Sequence, residues 1–280
     1  MKTIRYQTSI DQISQLNATE RQELQRVTDR FPFRCNDYYL SLIDWNDPHD
    51  PIRRLVIPDL DELQEWGELD ASGEADYTVL PGLEHKYPDT ALLLLTDVCG
   101  AFCRFCFRKR LFLDENRELV RDISEDLEYI SRHPEISNVL LTGGDPLLLS
   151  TEKLADVLEQ LQDIPHVKII RIGSKMPAFN PFRISDDPEL LNLMGRISDS
   201  DKQLYIMTHF NHPRELNDHA AKTLKMILKT GTKVCSQTPL INGFNNDPDV
   251  LRELFNQLSY LGIPPYYVFQ CRPTKGNLGY

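Results

Sequence analysis

The chain has 280 residues, 41 % of them hydrophobic and 26 % charged, which suits a globular protein of one large domain or one domain plus an extension. A net charge of −11 and a pI near 5.1 argue against general nucleic-acid binding, because such a surface repels phosphate backbones. No apolar run approaches the roughly 18 residues of a membrane span, and the start MKTIRYQTSIDQ has no leader-like apolar stretch, so a cytoplasmic protein is expected.

Residues 1–90 read as an N-terminal, mostly helical and irregular extension. ATERQELQRVTDRF predicts a helix capped by Asn17, and the Asp- and Pro-rich DWNDPHDPIRRLVIPDLDEL predicts loop and short turns. Residues 91–280 read as a second unit in which short apolar runs alternate with capped helical patterns. The predicted strands are 91–96, 137–143, 167–174, 203–210, 233–240 and 264–271. Several are apolar at consecutive positions, the pattern of strands buried on both faces.

Between them, Ile123, Leu127 and Ile130 give a weak helix, and Leu154, Val157, Leu158 and Leu161 a stronger one behind Ser150 as N-cap. A short helix is expected over Pro188–Met194. Leu216, Ala220, Leu224 and Ile227 follow Pro213 and stop at Gly231; Leu251, Leu254 and Leu258 follow Asp247 and Pro248 and stop at Gly262. Six β-α units with right-handed crossovers predict parallel strands in an α/β fold. The favoured architecture is an incomplete (β/α)6 TIM-like barrel; a doubly wound sheet is the alternative. Polar and Gly-containing segments follow the strands, where barrel enzymes carry their chemistry.

Of six cysteines, Cys99, Cys103 and Cys106 form a C-x3-C-x2-C triplet just after the first barrel strand. In a reducing compartment, thiols so spaced serve metal or catalysis rather than disulfides. Three thiolates on a four-iron cluster leave one iron free for a small molecule, whereas a structural zinc wants four ligands. Cys235, Cys271 or a histidine could supply a fourth, so a zinc-stabilised binding module stays open.

CGAFCRFC after a first strand, with LLTGGDPLLLS after a second, resembles the radical S-adenosylmethionine superfamily. The resemblance implies that Cys99, Cys103 and Cys106 bind a [4Fe–4S] cluster, whose open iron chelates S-adenosylmethionine and yields a 5′-deoxyadenosyl radical. Gly143 and Gly144 would let backbone carbonyls approach the methionine amino group, and Asp145 would orient their turn.

From about residue 50 onward the chain is similar to the lysine 2,3-aminomutase family, through DPIRRLVIP, VLPGLEHKYPDTALLLLT, CRFCFRKR, RIGSKMP, THFNHPRE, QTPLINGFNND and PYYVFQC. That family adds pyridoxal phosphate and moves an amino group between adjacent carbons of an amino acid. Carried over residue by residue, Arg108 would grip the substrate carboxylate. Lys86 would contact the pyridoxal phosphate group, with Thr90 standing where a second basic residue is expected. Ser174, His209 and Gln237 would line the cofactor pocket. An electron donor such as flavodoxin or ferredoxin is implied, and self-association stays open.

Two departures matter. Arg272 stands where the lysine enzymes place an aspartate for the substrate's distal ammonium. Two like charges at about 4 Å and an effective dielectric near 20 repel by roughly 4 kcal/mol, so free lysine is a poor substrate and a distal acid or neutral group is expected. In addition, the lysine that anchors pyridoxal phosphate lies beyond the sixth strand in the family. This chain stops at Tyr280, and Lys275 is not in the expected motif. The chain is thus read as a fragment of a longer protein, or as a short relative acting without pyridoxal phosphate, for instance on a protein side chain. A sixth strand with no helix after it is expected to leave apolar sheet surface uncovered.

Overall fold

The computed structural model describes residues 4–113, 118 and 122–280. Its strands are β1 (Tyr6–Gln7), β2 (Cys35–Asn36), β3 (Thr78–Leu80), β4 (Leu83–Tyr87), β5 (Thr90–Thr96), β6 (Asn138–Gly143), β7 (Ile169–Ser174), β8 (Gln203–His209), β9 (Lys233–Leu240) and β10 (Pro265–Gln270). Its helices are α1 (Ala18–Thr28), α2 (Asp37–Leu40), α3 (Pro51–Val56), α4 (Ser124–Arg132), α5 (Thr151–Gln162), α6 (Met176–Phe179), α7 (Phe182–Ser185), α8 (Pro188–Ser198), α9 (Asp218–Lys229) and α10 (Pro248–Tyr260).

The six expected strands are β5 to β10. They lie side by side in chain order and every neighbouring pair is parallel. A doubly wound sheet needs a point where the strand order reverses. Here there is none, so the architecture is the partial barrel. β3 and β4, a hairpin the sequence did not announce, extend the sheet antiparallel beside β5. GLEHKY is too polar to read as a strand.

The caps fall where expected. Asn17 forms a capping box with Glu20, the Ser150 side chain accepts from the Lys153 N–H, and Asp247 accepts from Asp249 ahead of α10. α9 starts one turn later than expected, behind Asn217, because Pro213 opens a separate 3₁₀ turn. α8 continues to Ser198, since Ile197 also reaches the core.

The strands are not buried on both faces, as their composition suggested. In β7, Ile170 and Ile172 are buried while Ile169, Arg171 and Gly173 are half-exposed. The buried face, with Val139, Leu141, Leu204, Ile206 and Val234, packs under Leu158 of α5, Leu193 of α8, Leu224 of α9 and Leu254 of α10. Each such side chain contributes roughly 1.5–3 kcal/mol. The other face lines an open lumen, which is why its residues alternate in polarity without being fully buried.

A second apolar cluster joins the N-terminal extension to the strand ends. Ile10, Ile13, Tyr39, Ile52 and Leu55 meet Ala101, Phe105, Phe179, Ile241 and Phe244 there, with Cys103 and Cys271 packed against its margin. The extension thus covers the C-terminal end of the barrel. At the edge strand β10, Tyr266 and Val268 are 54 % and 42 % exposed, so apolar sheet surface is uncovered there among the described residues. Among the described residues no helix is long and apolar enough to cross a membrane.

Candidate active site

The loop after β5 carries the three cysteines. The Cys106 N–H donates to the Cys103 carbonyl at 3.0 Å, folding both thiols into one turn. Its other backbone groups are held by the extension. Arg34 Nε donates to the Cys99 carbonyl at 2.7 Å and Asn36 Nδ2 to that of Gly100 at 3.1 Å. Phe102 and Arg104 donate their N–H groups to the carbonyls of Arg34 and Leu55. Beneath the loop, Arg104 forms a bidentate pair with buried Glu62, which also takes Lys109 at 3.1 Å.

Burial pushes the Cys99 thiol well up. Negative charge at Asp145, Cys106 and Cys103 raises it further, so the three sulfurs share one neighbourhood. Burial likewise raises Cys103 and Cys106. As bare thiols they hold their protons; a metal centre would supply the charge that makes them thiolates.

Among the described residues no group of three or more His, Cys, Asp or Glu side chains converges to hold a metal ion. A tetrahedral zinc needs such convergence. A cuboidal cluster would take each thiolate on a different iron, and three half-buried cysteines whose charges act on one another fit that group.

The turn after β6 locks onto this loop. An added Cβ on Gly143, at φ +114°, would sit 2.4 Å from the Thr96 carbonyl oxygen, and one on Gly144 2.4 Å from that of Val98. Their missing side chains therefore make room for the backbone leading into Cys99. Asp145 orients the turn through both oxygens. One accepts from Leu147 N–H at 3.1 Å and Ser174 Oγ at 2.8 Å, the other from Lys175 N–H at 2.8 Å. Burial raises its pKa to about 6 despite these bonds.

The remaining expected residues lie on several strands of the same sheet and just beyond it. Ser174 is buried, its hydroxyl donating to Asp145 and accepting from the Met176 N–H. His209 and Gln237 are brought together, Nε2 to Oε1 at 3.0 Å, and Gln237 reaches Tyr267 at 3.2 Å. Burial, then the charge of Lys175, pulls His209 down to about 4. Lys86 is exposed with its ammonium over the Tyr77 ring, and Thr90 bonds Asp89. Arg272 is exposed just beyond β10. The two buried lysines at this end, Lys175 and Lys109, are each paired with a buried glutamate, Glu215 and Glu62.

Arg108 is buried, and Glu74 fills its Nε–Nη2 edge at 2.7–3.0 Å, while Nη1 donates to Thr142 at 3.0 Å. Arg110 grips the same Glu74 at 2.6 Å. Sequence reasoning missed Glu74, Glu84, Lys175, Glu215 and Glu62. Single charged residues in irregular stretches read as solvated, and only their burial marks them.

Residues 93–255 match the family described as the Radical SAM superfamily. A protein of Aquifex aeolicus named "Putative L-lysine 2,3-aminomutase" is 58 % identical over 280 residues, covering all of this chain and 75 % of that protein. The L-lysine 2,3-aminomutase of Clostridium subterminale is 40 % identical, over 85 % of this chain and 57 % of the enzyme. The glutamate 2,3-aminomutase of Clostridioides difficile is 36 % identical, over 96 % of this chain and 64 % of the enzyme. The chain thus spans less than two thirds of the length of these last two.

Proposed function

Since this chain belongs to the radical SAM superfamily and, within it, to the lysine 2,3-aminomutase family of isomerases, we propose that it moves an amino group between adjacent carbons of an amino acid other than free lysine. The observation that carries the reading is the pinning of the Cys99–Cys106 loop between the Gly143–Asp145 turn and the N-terminal extension. Cys99, Cys103 and Cys106 would hold a [4Fe–4S] cluster. Together with S-adenosylmethionine, that cluster supplies the initiating radical.

The chain's own residues do the positioning. The extension and the Phe105-containing apolar cluster, with Cys103 packed against it, cover one side of the thiol loop. Arg108 would receive the substrate carboxylate on N–H groups that Glu74 leaves over. Arg272, beyond β10, favours a distal acid or neutral group. Pyridoxal phosphate would serve as a second cofactor, with Lys86, Ser174, His209 and Gln237 as the residues expected to meet it. A one-electron donor of the flavodoxin or ferredoxin type would reduce the cluster.

Anaerobic reconstitution tests the reading. About four irons per chain, lost in Cys99→Ser, Cys103→Ser and Cys106→Ser, and reductive cleavage of S-adenosylmethionine to 5′-deoxyadenosine support it. Colourless protein carrying zinc overturns it. Isotope-labelled glutamate and lysine then decide the substrate class. Turnover of lysine alone would refute the role given to Arg272, and restored lysine turnover in Arg272→Asp would support it.

A further inference from the structure

Arg34 is tied to the thiol loop from two sides. Its Nε donates to the Cys99 carbonyl at 2.7 Å, and its own carbonyl accepts from the Phe102 N–H at 2.9 Å. The residue is half-buried, with its guanidinium 4.4 Å from the centroid of the Tyr6 ring. Tyr6 of β1 stands opposite Asn36 of β2, which donates to the Gly100 carbonyl. The stacking ring and the loop are thus fixed by one pair of strands.

Each thiol has a cation near it. The foremost charge acting on Cys103 is Lys175, and the cations acting on Cys106 are Arg108 and Lys109. Those three are already matched at 2.7–3.1 Å, Lys175 by Glu215, Arg108 by Glu74 and Lys109 by Glu62. The charges acting on Cys99 are Asp145, Cys106, Cys103 and Arg34, and Arg34 is the cation among them. Asp145 spends its oxygens on Leu147, Ser174 and Lys175. The groups acting on the Arg34 charge itself are Tyr6, Cys99 and Cys35, with no carboxylate among them.

A half-buried guanidinium without a carboxylate lacks its counter-ion. A thiolate-bound cluster supplies one. Three thiolates on an oxidised four-iron core, which carries two positive charges, leave one negative charge. One electron from the flavodoxin- or ferredoxin-type donor makes that two, with no bond broken and no proton moved. Net charge around such a cluster is one of the terms that set its potential, and a fixed cation favours the reduced state.

We propose that Arg34 raises the reduction potential of the cluster held by Cys99, Cys103 and Cys106, through an unpaired guanidinium anchored on the Cys99 carbonyl. This inference rests on the iron–sulfur reading above. Arg34 touches no reacting atom; it is a positioning residue whose charge acts through the cluster.

The test is a redox titration of the full chain, reconstituted anaerobically and followed by the electron paramagnetic resonance signal of the reduced cluster. Arg34→Gln keeps a donor for the Cys99 carbonyl and removes the charge. Arg34→Lys keeps the charge and loses the planar fork. A unit charge within about 10 Å, at an effective dielectric near 20, shifts a one-electron equilibrium by roughly tenfold. The midpoint of Arg34→Gln should therefore fall by about 59 mV, the one-electron equivalent of tenfold, and that of Arg34→Lys by less than about a third of this. Tyr6→Glu leaves Arg34 and its bond to Cys99 in place and sets a carboxylate against the guanidinium. Its midpoint should fall too, and it carries the test if Arg34→Gln keeps fewer than about four irons per chain.

Arg34→Gln that keeps its iron at the wild-type midpoint overturns the inference. So does Tyr6→Glu at the wild-type midpoint, or an equal fall in Arg34→Gln and Arg34→Lys. The iron–sulfur reading stands in each of these cases. Wild type that gives no reduced four-iron signal overturns the iron–sulfur reading, and the inference with it.

Discussion

Gly144 and Val98 touch through backbone alone: a Cβ at Gly144 would lie 2.4 Å from the Val98 carbonyl oxygen and 2.7 Å from its carbonyl carbon and nitrogen. The Asp145 N–H donates to that same oxygen at 2.8 Å. Backbone on both sides of the contact cannot yield as a flexible side chain would. Gly144→Ala should therefore destabilise the protein by at least about 2–3 kcal/mol and push Val98 and Cys99 out of place. Thermal melting measures the first effect and iron retained after anaerobic reconstitution the second. Unchanged iron content would show that the turn does not position the thiols.

Glu62 is wholly buried with two cations on it, Arg104 in a bidentate pair and Lys109. Burial alone would raise its pKa, but the charges of Arg104 and Lys109 outweigh that and hold it below the usual range. Glu62→Ala strands both cations in the core and should cost roughly 3–5 kcal/mol in urea denaturation. The double replacement Glu62→Leu with Arg104→Leu leaves Lys109 as the one stranded charge and should recover part of the loss. Equal losses in the single and double variants would mean that the ion pair is not what Glu62 contributes.

The contrast between these two sites explains what could be read from the chain. The barrel strands and helices announce themselves through apolar periodicity and caps such as Ser150 and Asp247, because those signals are local. The triplet and the Gly143–Gly144 turn are likewise short runs whose meaning depends on which strand they follow. Glu62, Glu74 and Glu84 carry no such signal. What makes them notable is burial beside Arg104, Arg108 and Arg110, a consequence of the extension folding over the barrel mouth. Half-exposed inner-face residues such as Arg171 misled in the other direction, since an apolar run does not tell an open lumen from a covered face.

Asp145 uses both oxygens, one towards Leu147 N–H and Ser174, the other towards Lys175 N–H. An asparagine can present its carbonyl to only one of the two backbone N–H groups, and its own NH₂ then opposes the other. Asp145→Asn should thus cost about 1–3 kcal/mol and loosen β7 from the glycine turn. Amide hydrogen exchange at Lys175 or Leu147 locates the lost bond. Full protection at both would refute the assignment.

His209 gives a pH dependence with a definite sign. Its folded pKa is pulled to about 4, by burial first and the Lys175 charge second, from an unfolded value of 6.5. Between those values the unfolded chain binds the extra proton, so stability falls as pH drops from about 6.5 towards 4 and is fully present above 6.5. Gln237 accepts or donates to a glutamine at 209 equally well, so His209→Gln keeps the contact at Gln237 and removes the titration. Urea midpoints measured from pH 4.5 to 7.5 should show the wild type losing roughly 1–3 kcal/mol more than the variant across that window. Parallel pH profiles would mean that His209 takes up its proton as readily in the folded barrel as outside it.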